Sequence, residues 1–152
     1  MTPAAIVDLF KNQPLDFAPG EKYSYSNSGY ILLGYIIERA SGKTYQDFLR
    51  ENIFGPLGMV NSGYDGTMLL SHRAAGYAFD AHSNSEINAG YIDMSVPFAA
   101  GALYSTVGDL LLWDQALFTE RLLSRKSLHE MVRPFHSNYA YGWGLGVPFW
   151  PR

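Results

Sequence analysis

The sequence contains no cysteine, which excludes disulfide bonds, thiolate metal sites and cysteine catalysis. Long apolar runs are also missing, because no window approaches the ~20 apolar residues that a membrane-spanning helix needs. The first residues, Met1-Thr2-Pro3-Ala4-Ala5, have neither the basic region nor the apolar core of a signal peptide. We therefore expect a soluble chain with no membrane partner.

Clustered positive charge is absent as well, and the net charge is only -3. A nucleic-acid surface needs clustered Lys and Arg, whereas the single short cluster, Ser124-Arg125-Lys126, is typical of a solvated helix start. The four histidines lack H-E-x-x-H spacing, which argues against zinc. Neither Gly42-Lys43-Thr44 nor the Gly142-Trp143-Gly144 segment has the spacing of a nucleotide-binding loop. We expect no nucleic-acid partner, no metal and no cofactor.

What is present is enough for one folded domain, since 47% of the 152 residues are apolar. Capping residues and periodicity predict helices starting at Thr2-Pro3, over 28–41, from Thr44, from Thr106 and over 124–133. The helix over 28–41 has so wide an apolar stripe that we expect it to be buried on most sides. Residues 74–80 and 87–92 are predicted to pair as a hairpin.

Residues 139–149 alternate between large apolar side chains and glycines, a pattern that predicts a strand. The large side chains are Tyr139, Tyr141, Trp143, Leu145, Val147 and Phe149. An exposed face of this kind invites pairing with another chain, so we expect a homo-oligomer with residues 139–149 in the contact. The alternative is a monomer in which the strand folds back and hides its aromatic face on the chain's own helices.

Two residues stand out as candidates for chemistry, Tyr25 and Asn27, which lie in a polar loop that runs into the helix over 28–41. Residues two apart in an extended loop point the same way, and Asn27 or Ser28 is expected to cap the helix. The positive helix end favours a phenolate by only ~0.3–1 kcal/mol, so nearby lysines would have to supply the rest. An ionised tyrosine could act as a general base. The alternative is that the two residues have a structural role only, as part of a helix cap beside core tyrosines.

Short motifs follow one another in order along nearly the whole chain. They are Pro19-Gly20, Tyr25-Ser26-Asn27-Ser28-Gly29-Tyr30, Leu32-Leu33-Gly34, Ile37-Glu38, Ser41-Gly42, Phe54-Gly55-Pro56-Leu57-Gly58-Met59, Ala74-Ala75-Gly76-Tyr77, Ala100-Gly101-Ala102-Leu103-Tyr104-Ser105-Thr106, Asp109-Leu110 and Tyr141-Gly142-Trp143-Gly144-Leu145-Gly146. Each is weak alone. As an ordered set they resemble the class C β-lactamase type of penicillin-recognising serine hydrolase, which includes β-lactamases, D-alanyl-D-alanine peptidases and related esterases.

The resemblance implies an α+β fold of the β-lactamase/transpeptidase type, with most of the helical subdomain in about residues 1–134 and a sheet strand in about 139–149. It implies that Tyr25, the tyrosine of the family's Y-x-N motif, helps to activate the serine and to protonate the leaving group. It implies that Asn27 helps to hold the substrate. The family's nucleophile lies in S-x-x-K, and none of the 152 residues is a Ser or Thr followed three positions later by Lys. The third motif, K-T-G or H-x-G, is also missing.

The resemblance therefore implies part of a serine hydrolase domain that acts on a small-molecule substrate, namely a β-lactam, a D-Ala-D-Ala peptide or a small ester. In the family, the reaction is acyl transfer through an acyl-serine. Without the S-x-x-K serine we expect this chain alone to be inactive. The alternative is a non-catalytic, truncated relative that acts as a ligand-binding or self-assembling module. The resemblance is compatible with a periplasmic or secreted protein and leaves the compartment open.

Overall fold

A computed structural model describes residues 1–136 and 138–146 of the chain. Six α-helices and four short strands make up its framework. The helices are α1 (Pro3–Phe10), α2 (Asn27–Ser41), α3 (Tyr45–Leu49), α4 (Gly55–Leu57), α5 (Val107–Ala116) and α6 (Arg125–Met131). The strands are β1 (Gly63–Tyr64), β2 (Tyr77–Asp80), β3 (Ser85–Asn88) and β4 (Leu103–Tyr104). A π-helical turn, Arg50–Phe54, joins α3 to α4, and a short 3-10 helix spans Phe98–Ala100.

Five of these helices begin by the same local device, a Ser or Thr hydroxyl that accepts a hydrogen bond from the backbone N–H three residues later. The capping residues are Thr2, Ser26, Thr44, Thr106 and Ser124. The predicted helix starts at Thr2-Pro3, Thr44, Thr106 and Ser124 are thereby confirmed. Within the part of the chain that the structure describes, no helix is both long and apolar enough to cross a lipid bilayer.

The strands form two separate antiparallel pairs. β2 pairs with β3, with Tyr77 opposite Asn88 and Asp80 opposite Ser85, which confirms the predicted hairpin. β2 is shorter than the predicted 74–80, and β3 begins two residues before the predicted 87–92 and ends four residues before its end. β1 pairs with β4, with Gly63 opposite Tyr104. The second pair had no signal in the sequence, because each of its strands has only two residues. Helices with few antiparallel strands give the α+β architecture that was predicted.

The core lies where α1, α2 and α3 meet the 3-10 helix. Its buried members are Ile6, Val7, Ile31, Tyr45, Leu49 and Phe98. A smaller cluster of Leu57, Met59 and Ala116 holds α4 against α5. The ring centroids of Tyr45 and Phe98 lie 5.2 Å apart, a separation at which aromatic rings attract each other. This packing fixes α2, and with it the start of α2, relative to the rest of the fold.

The expectation that the helix over 28–41 is buried on most sides is wrong for this chain. Ile31 and Gly34 are buried, but Leu33 and Ile36 on the opposite face are about half exposed. Of the apolar residues predicted to face the core from α5, Ala116 is buried, whereas Leu110 and Leu111 are exposed. In the first helix Leu9 is exposed, and Val7 takes its place in the core. Periodicity identified the helices correctly, but a second apolar face needs a second partner to be buried.

The predicted continuous strand over 139–149 is not found. Residues 139–146 contain isolated bridges at Tyr139 and Gly144 around a turn, and residues 147–149 lie outside the described residues. Gly142 has a φ of 81°, which a strand does not permit and which glycine adopts readily. Consequently Tyr139, Trp143 and Leu145 are partly buried rather than exposed on one face, while Tyr141 is exposed. Over this part, the segment folds back on its own chain.

Candidate active site

The start of α2 carries both candidate residues. Ser26 is the cap, with extended backbone angles (φ -140°, ψ 111°) and an Oγ that accepts from the Gly29 N–H at 3.1 Å. The expectation that Asn27 or Ser28 would be the cap is therefore wrong by one position. Tyr25 is the last residue before the cap, and Asn27 is the first residue of the helix. The two side chains therefore flank the cap at the positive end of a 15-residue helix.

The loop before Tyr25 is set by a tight turn. The Glu21 N–H donates to the Ala18 carbonyl at 3.0 Å, and the Ala18 N–H donates to the Glu21 carboxylate at 3.0 Å. Gly20 has a φ of 82°, in the region that glycine adopts without strain. This turn directs the chain towards α2 and leaves residues 22–25 extended or irregular before the cap. The residues Pro19-Gly20 indicate this turn in the sequence.

Tyr25 and Asn27 are both exposed, and Tyr25 presents 63% of its surface to solvent. That exposure is compatible with substrate access. The expectation that the two side chains face one cleft remains a prediction. Three lysines of the chain have neighbours of their own, and the Lys22 ammonium lies 5.0 Å from the centre of the Phe17 ring. Lys43 pairs with Glu51, and Lys11 pairs with Asp8.

A group of tyrosines beside the pair was not predicted as a unit. Tyr30, one turn into α2, has its phenol oxygen 3.5 Å from that of Tyr139. The ring of Tyr23 lies against Tyr139 as well, at a centroid distance of 5.0 Å. Partial burial, then the hydrogen bond to Tyr139, raises the pKa of Tyr30 to about 12, with smaller contributions from Tyr25 and Tyr23. Tyr30 is therefore neutral at physiological pH and offers a hydrogen bond rather than a base.

A second polar feature lies away from α2. Asp65, only 4% exposed, receives a hydrogen bond from Arg73 Nη1 at 3.0 Å, and its N–H donates to the Ala102 carbonyl at 2.8 Å. The pair borders a cavity of about 590 Å³, which Tyr91 and Asp93 also line. Neither Tyr25 nor Asn27 lines this cavity. Sequence reasoning missed this ion pair, because Asp65 and Arg73 lie in loops without a periodic pattern.

A third feature, the start of α5, is held by a buried carboxylate. Asp109, 4% exposed, accepts from the Asn61 N–H and from Ser62 Oγ, both at 2.7 Å. Ser62 Oγ also lies 2.7 Å from Ser105 Oγ. Thr106, the predicted start of this helix, accepts from the Asp109 N–H at 3.2 Å. The Asp109 carboxylate, however, ties α5 to the loop before β1 and so serves tertiary structure.

Comparison with known proteins places this arrangement in a class. The structure superposes on that of a D-amino acid amidase from Ochrobactrum anthropi SV3 with a TM-score of 0.76 and 34% identity, over 88% of this chain and 39% of that one. It also superposes on an octameric penicillin-binding protein homologue from Pyrococcus abyssi with a TM-score of 0.78 and 27% identity, over 88% of this chain and 31% of that one. The fold is therefore that of the β-lactamase/transpeptidase class.

Sequence comparison gives the family. The model of the family described as Beta-lactamase matches residues 2–151, and the chain belongs to that family. It is 34% identical to Penicillin-binding protein 4* of Bacillus subtilis (strain 168), over 92% of this chain and 35% of that protein. The chain thus spans about a third of the length of this curated relative. The resemblance inferred from the ordered motifs is confirmed.

Proposed function

We propose that the chain supplies the tyrosine–asparagine part of a β-lactamase-family serine hydrolase site, with Tyr25 and Asn27 as the residues that meet the substrate. The observation that carries this proposal is their placement on either side of the Ser26 cap, exposed at the positive end of α2. The reaction of such a site is acyl transfer through an acyl-serine. The family membership supports the reaction class.

The two residues take different roles in this proposal. In a complete site of this kind, Tyr25 as a phenolate accepts the proton of the attacking serine hydroxyl and then donates that proton to the leaving group, which requires a side chain that the substrate can reach. Asn27 donates its side-chain N–H to a carbonyl of the substrate, as an amide side chain can. The backbone N–H groups of the first turn of α2 add a positive potential that favours negative charge developing nearby.

The 152 residues contain no S-x-x-K, so the proposed site lacks a nucleophile within this sequence. Removal of the nucleophile from a serine hydrolase removes the covalent route and leaves only binding and electrostatic contributions. We infer that the chain by itself binds a substrate-like molecule without acyl-enzyme formation. This inference concerns these residues only.

The proposed ligand is a small acyl compound: a β-lactam, a D-Ala-D-Ala peptide or a small ester. The structural similarity to a D-amino acid amidase adds the amide of a D-amino acid to this set. All four share a carbonyl next to a leaving nitrogen or oxygen, which is the group that a tyrosine proton donor and an amide donor can address together. We propose no nucleic-acid partner.

A second candidate function is a self-assembling or ligand-binding module without catalysis. The penicillin-binding protein homologue from Pyrococcus abyssi is octameric, which supports homo-oligomerisation as a proposal for this chain.

The binding role of the pair is tested by NMR titration of the isotope-labelled chain with penicillin and with a D-alanyl-D-alanine peptide. We expect the Asn27 side-chain amide and the Gly29 backbone amide to shift with saturation. Tyr25→Phe should weaken binding about fivefold, since one hydrogen bond contributes ~1 kcal/mol. Tyr77→Phe is the matched control, because Tyr77 is 67% exposed and lies in β2. Equal weakening by both variants, or shifts confined to residues outside α2, would refute the proposal.

A further inference from the structure

One side chain from near the end of the described chain contacts the segment that carries Tyr25 and Asn27 on both sides. The ring centroid of Tyr139 lies 5.0 Å from that of Tyr23, with an angle of 42° between the ring planes. The phenol oxygen of Tyr139 lies 3.5 Å from that of Tyr30. Tyr23 precedes Tyr25 by two residues, and Tyr30 follows Asn27 by three. Both candidate residues therefore lie between two residues that the same side chain contacts.

The two contacts of Tyr139 differ in strength. Aromatic rings with centroids ~4.5–7 Å apart attract each other when they do not form a face-to-face sandwich, and the pair with Tyr23 meets this condition. Hydroxyl groups bond best at about 2.7–2.8 Å, so the distance to Tyr30 is that of a long, weak hydrogen bond. We therefore expect the ring of Tyr139 to contribute more than its hydroxyl.

The segment before α2 depends on side-chain contacts for its conformation. Residues 22–25 have no regular secondary structure, and they form no backbone–backbone hydrogen bond with any other described residue. Their direction is set at one end by the turn at residues 18–21 and at the other by the cap of α2. Between these points the ring of Tyr23 is held by Tyr139. A fixed ring at Tyr23 limits the directions that Tyr25 can take, because one residue separates the two.

Tyr139 is itself fixed by its backbone. Its N–H donates to the His136 carbonyl at 2.8 Å, and its carbonyl accepts from the Phe135 N–H at 3.0 Å. The turn that follows also approaches α2, since a Cβ at Gly142 would lie 3.3 Å from the Tyr30 phenol oxygen. A side chain on a backbone held in this way can keep its neighbours in place.

We propose that Tyr139 is a positioning residue for Tyr25 and Asn27. Its ring fixes Tyr23, its hydroxyl meets Tyr30, and the segment between these contacts presents the site residues in one arrangement. The inference rests on the proposed function of the pair and adds to it a residue that does not meet the substrate. Loss of the ring frees the segment and weakens ligand binding by about as much as loss of one hydrogen bond that it positions, roughly fivefold.

The first measurement is amide hydrogen exchange, which needs no ligand. The Gly29 N–H donates to Ser26 Oγ at 3.1 Å, so its exchange reports local opening of the α2 cap. The Asp109 N–H is bonded in the same way to Thr106, at 3.2 Å, and serves as the reference. In Tyr139→Leu we expect exchange at Gly29 to accelerate about fivefold, the effect of losing one aromatic pair. Exchange at Asp109 should stay unchanged, whereas global destabilisation would accelerate both.

Three further variants make this comparison specific. Tyr139→Phe keeps the ring and should retain the slow exchange at Gly29. Tyr141→Leu is the matched control, at a tyrosine of the same turn that is 74% exposed, and should have no effect. Tyr23→Leu removes the ring contact from the other side and should act like Tyr139→Leu, which covers the case in which the latter does not fold. Where both fold, the double variant should exchange no faster than either single one, because the two substitutions remove the same contact.

The second measurement is the affinity of each folded variant for penicillin, by NMR titration. We expect about fivefold weaker binding for Tyr139→Leu and Tyr23→Leu, and wild-type affinity for Tyr139→Phe and Tyr141→Leu. Unchanged exchange at Gly29, equal acceleration at Asp109, or wild-type affinity of Tyr139→Leu and Tyr23→Leu would overturn the positioning role. A wild-type chain that does not bind penicillin refutes the proposed function instead, and exchange at Gly29 then still decides whether Tyr139 holds the segment.

Discussion

The phenol oxygens of Tyr30 and Tyr139 lie 3.5 Å apart, although the two residues are separated by 109 positions in the sequence. The contact joins the first turn of α2 to the turn at residues 140–143. Gly142 lies at the same place, since a Cβ there would be 3.3 Å from the Tyr30 phenol oxygen. Tyr139 and Gly142, near the end of the described chain, therefore pack against the beginning of α2, which carries Asn27.

This contact predicts a specific titration. Partial burial and Tyr139 raise the pKa of Tyr30 to about 12, whereas a phenol in the unfolded chain titrates near ~10. The stabilising contribution of neutral Tyr30 is therefore complete below about pH 10 and is lost as the pH rises through about 12. In an ultraviolet titration of phenol ionisation, Tyr30→Phe should remove one phenol that ionises near pH 12. Tyr91→Phe, at a residue that is 90% exposed, is the control. Loss of an ordinary, early phenol from Tyr30→Phe would contradict the contact.

Close packing of α2 on the 3-10 helix predicts opposite effects for two glycines of the same helix. Alanine gains up to ~1 kcal/mol over glycine in a helix. At Gly34 the new Cβ would lie 2.3 Å from Ala99 and 2.8 Å from Phe98, and such overpacking costs ~1–3 kcal/mol.

Gly34→Ala should therefore lower the free energy of unfolding in urea by about 1–2 kcal/mol. Gly29→Ala should leave it unchanged or raise it, because its new contacts with Ser26 are at 3.7 Å. Stabilisation by Gly34→Ala would show that α2 does not pack on Ala99 as the structure has it.

Structural features that depend only on neighbouring residues were predicted from the sequence, whereas features that depend on contacts with distant residues were not. Thr44 and Thr106 indicated helix starts correctly, because a hydroxyl that bonds to an N–H three residues later needs nothing from elsewhere in the chain. Residues 139–146 were misassigned because alternation alone does not reveal the positive φ of Gly142. Leu33 and Ile36 were expected to be buried because periodicity shows that a face is apolar without showing whether anything covers it. The ordered motifs gave the family and thereby more than any pattern of polarity.

The buried carboxylate of Asp109 predicts a tertiary effect that an ordinary helix cap does not have. Asp109→Ala removes acceptors for both the Asn61 N–H and Ser62 Oγ, and hydrogen bonds to a charged group contribute ~1.5–3 kcal/mol. We expect a loss of about this size in urea unfolding. Asp114→Ala, at an exposed position of the same helix, should change stability by less than ~0.5 kcal/mol. Similar losses for the two variants would mean that the Asp109 contacts contribute no more than an exposed charge.

We propose that the chain holds the tyrosine and the asparagine of a serine hydrolase site without the nucleophile. The most direct test is intact-mass spectrometry after incubation with penicillin and, separately, with a fluorophosphonate probe, alongside nitrocefin and p-nitrophenyl acetate assays on the same sample. We predict an unmodified mass and hydrolysis no faster than with boiled protein, since no serine precedes a lysine by three residues. A covalent adduct that maps to any serine of this chain would contradict the claim.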